Sequence, residues 1–225
     1  DPVEILQTCN AHDTLMFFMK NGRVYVGKAY EIPEGSRIAK GRNIINLLEM
    51  QKSERVAALI AIDSFESDQS LVLCTQKGVI KKTKINAYKN HRKGGIIGIN
   101  VDEGDTVLKA IKTNPDDHIL ILTKNGKGLR FCCDQLRDQG RVTRGVRGIR
   151  LKPKDQVDSC LVVDDQKLLL IAGQNGLGIR TRFSAFLPNG GKLDSDSVED
   201  ATPRKRGGQG VTAMNTDRII GALSV

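Results

Sequence analysis

The sequence predicts an all-β protein, a propeller-like array of four-stranded blades of about 50 residues each. Three observations support this fold class: a repeat with a period of about 50 residues, a glycine turn between apolar runs in every repeat, and the lack of a convincing helical period in any long stretch. Residues 37–50 come closest to a helical pattern, but Gly41 interrupts them. A length of 225 residues suits one large β domain.

Three motifs repeat in step along the chain. In the first motif an acidic residue opens an apolar stretch, in the second two strands flank a glycine turn, and in the third a basic residue precedes a glycine and an apolar step. The acidic residues are Asp1, Glu54, Asp105, Asp155 and Asp217, the turn glycines are Gly22, Gly78, Gly126 and Gly176, and the basic steps begin at Lys40, Lys93, Arg144 and Arg206. A shared period predicts a single domain, residues 1–225, with repeat units 1–53, 54–104, 105–154 and 155–216 and a partial fifth unit, 217–225.

Each glycine turn predicts a β-hairpin. Asparagine precedes glycine at Asn21, Asn125 and Asn175, and this pair favours type I′ turns, which need positive φ angles at both central residues. The strand before each turn is almost continuously apolar, as is typical of a strand buried on both faces. The strand after each turn mixes apolar residues with lysine or arginine, so we expect it to be half exposed and basic.

Composition and charge restrict the class of partner. The formal net charge of +9 and the pI near 9.4 favour a polyanion. Six phenylalanines, three tyrosines and no tryptophan provide few stacking platforms for single strands, so duplex contacted through its backbone is the expected partner.

Five cysteines without a CxxC pair argue against a disulfide framework and a zinc site. The longest apolar run, Val56 to Ile62, is too short to span a membrane, so we expect a soluble, cytoplasmic protein with no membrane partner.

Basic residues recur after the hairpin turns and at the basic-glycine steps, away from the acidic residues that open the first strands. We therefore expect the two signs of charge on different edges of a blade, with a basic rim that contacts phosphates. The neighbouring glycines help a phosphate approach the backbone, although they also allow one blade to bend into the next. The predicted DNA-binding residues are Arg23, Lys28, Arg37, Lys40, Arg42, Lys81, Lys82, Lys84, Arg92, Lys93, Lys127, Arg130, Arg141, Arg144, Arg147, Arg150, Arg180, Arg182, Arg204, Lys205 and Arg206.

Several long motifs carry a resemblance to a known family. They are GRVYVGKAYEIPEGSRIAKGRNIINLL (22–48), KGGIIGINVDEGD (93–105), TKNGKGLRF (123–131), GRVTRGVRGIRL (140–151) and RGGQGV (206–211). Together they resemble the C-terminal domain of the bacterial DNA gyrase A protein, over nearly the whole chain. The resemblance implies a β-pinwheel, in which blades exchange strands with their neighbours, and a basic perimeter that wraps duplex DNA. This wrapping would support ATP-dependent negative supercoiling by the holoenzyme.

The same resemblance implies the wider assembly. The expected partners are duplex DNA, the N-terminal breakage-reunion domain of the same polypeptide and the ATPase subunit. The holoenzyme would use ATP and Mg, whereas this domain would need no cofactor. Residues 204–210 resemble a degenerate copy of the family's heptapeptide box, whose first copy belongs upstream of the first repeat. The family usually has six blades, so the partial fifth unit is a departure from its pattern.

Other function classes have weaker support in the sequence. The topoisomerase IV counterpart of this domain is the alternative within the class, and the intact EIPEGSR run favours gyrase over it. A propeller-type protein-interaction scaffold is the alternative from another class, but a scaffold needs no periodic basic rim. An enzyme needs converging catalytic groups, and we find no Walker loop or nucleophile motif. The histidines and tyrosines that lack the partners for catalysis are His12, His91, His118, Tyr25, Tyr30 and Tyr88. We therefore expect no catalytic or metal site in this chain by itself.

Overall fold

The computed structural model describes residues 3–36, 38–188, 204–216 and 218–225. Within these residues the regular structure consists of β-strands and short 3₁₀ turns, without an α-helix. The strands are β1 (Thr14–Met19), β2 (Arg23–Lys28), β3 (Val56–Ile62), β4 (Ser70–Thr75), β5 (Val79–Lys84), β6 (Ile96–Ile97), β7 (Val107–Thr113), β8 (His118–Thr123), β9 (Lys127–Cys132), β10 (Val146–Arg147), β11 (Val157–Val162), β12 (Leu168–Gly173), β13 (Gly178–Arg182), β14 (Val211–Thr212) and β15 (Ile219–Ser224). The 3₁₀ turns are Ala29–Glu31, Ile44–Asn46, Ile85–Tyr88, Cys133–Gln135 and Phe183–Phe186.

The strands form four antiparallel sheets, which we name blades A to D. Their strand orders are β3-β1-β2-β6 in blade A, β7-β4-β5-β10 in blade B, β11-β8-β9-β14 in blade C and β15-β12-β13 in blade D. The predicted all-β class with four-stranded blades is confirmed, and blade D has three strands among the described residues. Each blade combines one hairpin with strands from the following repeat unit, which is the strand exchange that the family resemblance implies.

Every blade has an inner and an outer edge. The inner strands β3, β7, β11 and β15 contact one another in succession from blade to blade. The two-residue strands β6, β10 and β14 lie at the opposite edge of their sheets. The basic-glycine steps that begin at Lys93, Arg144 and Arg206 precede these short strands, so the fold places these three steps on the outer edge.

The core lies between neighbouring blades. Met16 and Phe18 of blade A pack with Leu71 and Leu73 of blade B, and all four side chains are buried. Every residue of β1 and β4 is buried. The prediction that the strand before each turn is covered on both faces is therefore confirmed for these blades, since each such strand has a neighbouring blade or loop against either face.

The hairpin turns differ from the predicted type. In blade A the loop comprises residues 20–22, and the Gly22 amide donates to the Met19 carbonyl at 2.9 Å. Gly22 has a φ of +88°, whereas Asn21 is absent from the described residues with positive φ. The type I′ prediction was wrong, because a three-residue loop uses a type I turn followed by one left-handed glycine. The side-chain oxygen of Asn21 instead accepts a hydrogen bond from the Arg23 amide at 3.1 Å.

In blades A, B and C the acidic residue of the first motif accepts a hydrogen bond from the hairpin turn. This bond connects the turn to the start of the inner strand of the same blade. Asp105 Oδ1 accepts from the Lys77 amide at 2.9 Å, and Asp155 Oδ1 accepts from the Asn125 amide at 3.1 Å. Glu54 accepts from the Asn21 side chain in blade A at 2.8 Å. All three acidic side chains are buried, so their oxygens need hydrogen-bond donors within the protein. The hairpin turns supply these donors, and for this reason the acidic motif and the glycine-turn motif recur together. Asp1 and Asp217 lie outside the described residues, and residues 3–10 form no strand.

Candidate nucleic-acid interface

The outer edges of blades A, B and C are joined into one continuous line. We define outer segment A as residues 92–100, outer segment B as 140–150 and outer segment C as 204–213, each ending in or just after its short strand. The Asn100 amide donates to the Thr143 carbonyl at 2.9 Å, which joins segments A and B. Gly207 and Arg150 join segments B and C, through hydrogen bonds to the Gly148 and Gly208 carbonyls at 2.8 Å each. The three basic-glycine steps in these segments therefore form a connected edge rather than separate loops.

A left-handed glycine precedes each short outer strand. Gly95, Gly145 and Gly210 occupy equivalent positions and have φ angles of +77°, +94° and +72°. A Cβ at Gly145 would lie 2.7 Å from the Ile80 carbonyl oxygen, and one at Gly210 would lie 2.3 Å from the Gly128 carbonyl oxygen. These glycines therefore let the outer segment lie directly against the hairpin, which supports the blade-geometry interpretation of the motif.

Strand pairing corrects the predicted register of the last unit. From the sequence alone, Arg206-Gly207 is expected to correspond to Arg144-Gly145. The structure instead places Gly210 opposite the blade C hairpin in the way that Gly145 lies against the blade B hairpin. The error arose because segment C contains three glycines, and only the strand partner decides which of them corresponds to the others.

One group of predicted residues is exposed, and five of its members lie on this edge. Its members carry no hydrogen bond or ion pair from their charged groups to other described residues, so they are available to phosphates. In the outer segments they are Arg92, Lys93, Arg147, Arg150 and Lys205. Lys40 and Arg42 are exposed in the segment that carries the first basic-glycine step, and Arg180 and Arg182 are exposed on β13. Arg37 lies outside the described residues.

Arg144 is exposed but already paired. Its guanidinium donates to both carboxylate oxygens of Asp102, from Nε at 2.7 and 2.8 Å and from Nη2 at 2.6 Å. The hydrogen bonds from Arg144 lower the pKa of Asp102, and the same hydrogen bonds raise the pKa of Arg144. Asp102 follows segment A and Arg144 lies in segment B, so this pair also bridges two blades. A phosphate must compete with Asp102 for this guanidinium.

A second group is partly covered and bound to nearby main chain or side chains. Arg23 donates to the Gly94 carbonyl and lies 3.5 Å from Glu54, and Lys82 lies 3.6 Å from Asp138. The remaining members also donate to local oxygens: Lys28 to Thr14, Lys84 to Asp68, Lys127 to Thr212, Arg204 to Phe186 and Leu187, and Arg206 to Gln135 and Arg147. Arg141 is half buried in segment B, and its carbonyl accepts from Lys81 at 2.6 Å. These residues contribute positive potential, and apart from Arg141 their charged groups have partners within the fold.

Two predicted residues are buried, which corrects the expectation that the strand after each turn is half exposed. Lys81 has 0% and Arg130 has 4% of its surface exposed. Arg130 makes two hydrogen bonds to Asp165, at 2.8 and 2.7 Å, and a third to His118 Nδ1 at 3.0 Å. Neither cation reaches a surface phosphate, because β5 and β9 are covered by their outer segments and by neighbouring blades. Burial lowers the pKa of His118, and the Arg130 charge lowers it further.

Sequence reasoning missed one exposed cation at the outer edge. Lys77 lies in the blade B hairpin turn, and a surface groove there is lined by Lys77, Arg144, Arg147 and Arg150. The Lys77 ammonium donates to the Glu103 carbonyl at 3.0 Å. The prediction considered basic residues after each turn and not within it. Lys77 could have been predicted from its position immediately before the turn glycine Gly78. In the structure this glycine lies against Ile149 of segment B.

Comparison with protein families gives a match over most of the chain. The model described as "DNA gyrase C-terminal domain, beta-propeller" matches residues 13–63, 69–114, 117–164, 167–192 and 198–225. The chain belongs to the DNA gyrase C-terminal domain family. The matched intervals follow the hairpins and inner strands described above, so the family assignment and the repeat agree.

Members of the gyrase family with curated sequences match the whole chain. The DNA gyrase A protein of Mycolicibacterium smegmatis is 37% identical over 231 residues, which cover 100% of this chain and 26% of that protein. The Salmonella typhimurium gyrase A protein is 32% identical over 229 residues, which cover 100% of this chain and 24% of that protein. The chain therefore spans about a quarter of the length of these gyrase A proteins.

Solved structures agree with the gyrase-family fold. A DNA gyrase A C-terminal domain superposes with a TM-score of 0.75 at 26% identity, covering 96% of this chain and 67% of that chain. The C-terminal domain of DNA topoisomerase IV superposes with a TM-score of 0.80 at 24% identity, covering 96% and 65%. The latter likeness concerns the fold alone. No helix in the described part of the chain is long and apolar enough to cross a membrane.

Proposed function

We propose that this chain binds duplex DNA along outer segments A, B and C and bends it around the perimeter, as the C-terminal domain of a gyrase A protein. The observation that carries the proposal is the continuity of the basic edge. Main-chain hydrogen bonds join the three segments, and each segment exposes at least one cation. Phosphates along a duplex provide a matching line of negative charge.

The number of exposed cations sets the expected salt dependence. Five predicted residues on the outer segments are exposed and have no partner for their charged groups among the described residues: Arg92, Lys93, Arg147, Arg150 and Lys205. If each reaches one phosphate, the log–log slope of affinity against salt is about −4.5 for duplex DNA. Affinity then falls by about five-hundredfold between 50 and 200 mM salt. Such a dependence is typical of binding through the phosphate backbone.

The geometry favours binding with little sequence preference. Reading bases in the major groove requires a helix or a two-stranded ribbon that enters it. The described residues contain no α-helix, and the outer strands are two residues long and lie flat against their blades. The cations therefore contact phosphates, which position the duplex without specifying its sequence.

Bending follows from the placement of the cations on successive blades. A straight duplex contacts only part of an edge that runs from one blade to the next. Bending a site of 20–30 base pairs by 40–90° costs on the order of 1–6 kcal/mol, which additional phosphate contacts offset. The bend should therefore depend on the basic residues of more than one blade.

Fluorescence anisotropy with a labelled duplex tests the binding surface. Replacement of Arg147 and Arg150 with glutamine should reduce the log–log slope of affinity against salt by about 2. It should weaken binding to all duplex sequences alike. Replacement of Lys109 and Lys112 with glutamine is the matched control, because it removes the same charge from exposed positions of the inner strand β7. Equal effects of the two double variants would show that net charge, not the outer edge, determines binding, and would refute the proposed surface.

The family relationship extends the proposal to the holoenzyme. We propose that this domain acts without catalytic groups of its own, in the cytoplasm, alongside a breakage-reunion domain and an ATPase subunit that use ATP and Mg for negative supercoiling. In the full-length protein, the Arg147 and Arg150 double variant should impair supercoiling and spare DNA cleavage. Equal loss of both activities would contradict a role confined to DNA wrapping.

A further inference from the structure

Lys81 is a buried cation at a position that lacks a charge in the other blades. Strand pairing makes Tyr25 of blade A, Leu129 of blade C and Ile179 of blade D its equivalents. Lys81 is completely buried. Burying an ammonium group is unfavourable unless its donors are satisfied, so an apolar residue would be the simpler choice for packing alone.

The Lys81 ammonium uses all three of its N–H donors on main-chain carbonyls of the outer edge. It donates to the Gly98 carbonyl of segment A, and to the Gly140 and Arg141 carbonyls of segment B at 3.0 and 2.6 Å. No carboxylate of the described residues lies within ion-pair distance of it. One side chain thus connects the outer edges of two neighbouring blades.

Two of the carbonyls that Lys81 binds, those of Gly140 and Arg141, belong to the stretch that leads to the basic step of blade B. Between the 3₁₀ turn at Cys133–Gln135 and β10 this stretch has no regular strand. The hydrogen bond from the Asn100 amide to the Thr143 carbonyl lies two residues beyond Arg141. Lys81 therefore acts where segment B would otherwise depend on few main-chain contacts to hold it against segment A.

We propose that Lys81 is a positioning residue for the DNA path, whose ammonium group clamps segments A and B together so that their cations form one line. This inference rests on the proposed function for its link to DNA. The clamp itself is a property of the free protein.

The charge of Lys81 is present at neutral pH. Burial, together with the smaller effect of the positive charge of Arg141, lowers the pKa of Lys81 to about 8. At pH 7 most molecules therefore keep the ammonium form, which supplies the three donors that the carbonyls require.

Lys81→Met tests the clamp, because methionine keeps an unbranched apolar stem and removes the ammonium group. Lys109→Met is the matched control, since it removes the same charge from an exposed position of β7, away from the outer segments. Without DNA, amide exchange at Asn100 should become about tenfold faster in Lys81→Met and stay unchanged in Lys109→Met. Urea unfolding establishes that both variants are folded, and Lys81→Arg, which keeps a cationic donor, should retain more of the protection than Lys81→Met.

DNA binding by the same variants separates this inference from the proposed function. Lys81→Met should weaken duplex affinity by about tenfold more than Lys109→Met, because cations of two blades lose their alignment. Wild-type exchange at Asn100 in Lys81→Met would overturn the clamp whatever the DNA result. Faster exchange with unchanged affinity would overturn its role in the DNA path. If the unaltered protein fails to bind duplex, the proposed function fails while the exchange result still decides the clamp.

Discussion

Replacement of Glu54 tests how the acidic motif stabilises the repeat. The Glu54 carboxylate accepts hydrogen bonds from the Asn21 side chain at 2.8 Å, the Tyr25 hydroxyl at 2.7 Å and the Gln51 amide at 2.9 Å. Its side chain is 1% exposed, and Arg23 lies 3.5 Å away. Glu54→Ala removes an ionised acceptor from three donors and leaves the buried Tyr25 hydroxyl without a partner.

The expected loss of unfolding free energy follows from those contacts. Hydrogen bonds to charged groups contribute about 1.5–3 kcal/mol each and are not additive, so Glu54→Ala should lower the unfolding free energy by about 3–5 kcal/mol. Glu54→Gln keeps one oxygen acceptor in the same place and should lower it by about 1–2 kcal/mol. Urea unfolding at pH 7 measures both losses as a shift of the midpoint. Glu49→Ala, at an exposed position nearby, is the control.

The pH dependence provides an independent check on the same residue. Burial alone would raise the pKa of Glu54, but the hydrogen bonds from Asn21, Tyr25 and Gln51 together lower it below the ordinary value of 4.5. A depressed carboxyl pKa stabilises the fold above the unfolded value, and this stability is lost as the pH falls through the folded pKa. The advantage of the native protein over Glu54→Gln should therefore shrink below about pH 4.5. A loss under about 1 kcal/mol for Glu54→Ala, or a pH-independent advantage over Glu54→Gln, would refute the reasoning.

Two further changes test the outer edge. Asp102→Asn removes the negative charge that pairs with Arg144 and one of its two acceptor oxygens, so duplex affinity should rise and the log–log salt slope should steepen by about 0.9 in anisotropy titrations. The rise should vanish in an Arg144→Gln background, and an unchanged affinity would contradict competition for the guanidinium. Gly145→Ala forces a side chain into a left-handed φ and against the Ile80 carbonyl, so urea unfolding should show a loss of about 1–3 kcal/mol. Gly140→Ala, whose Cβ would meet open space, should cost little, and equal losses would contradict a steric role for Gly145.

The repeat made much of the fold predictable from local sequence. Strands, turns and the acidic openings each depend on residues within one period, so their spacing revealed the blades. The turn type was wrong because Asn-Gly also fits a three-residue loop, and the difference depends on one extra residue before Asn21. The pairing of each hairpin with strands of the following unit is a long-range property, which the residues alone did not show.

The candidate site was less predictable because charge does not reveal exposure. Arg147 and Lys81 both lie in short segments rich in basic residues. Arg147 is nevertheless exposed, whereas Lys81 is fully buried. Only the packing of outer segments A and B over β5 separates the two. The ion pair of Asp102 was unpredictable for a similar reason. Nothing in its local sequence indicates that it contacts Arg144 of the neighbouring blade.

Energy transfer between dyes at the two ends of a short duplex measures directly whether the outer edge bends DNA. The native protein should shorten the end-to-end distance at low salt, and the Lys109 and Lys112 double variant should do the same. The Arg147 and Arg150 double variant should leave the bound duplex straighter. Bending a site of about 20–30 base pairs is within reach of the energies involved. An unchanged distance with saturating native protein would contradict DNA bending around the outer edge.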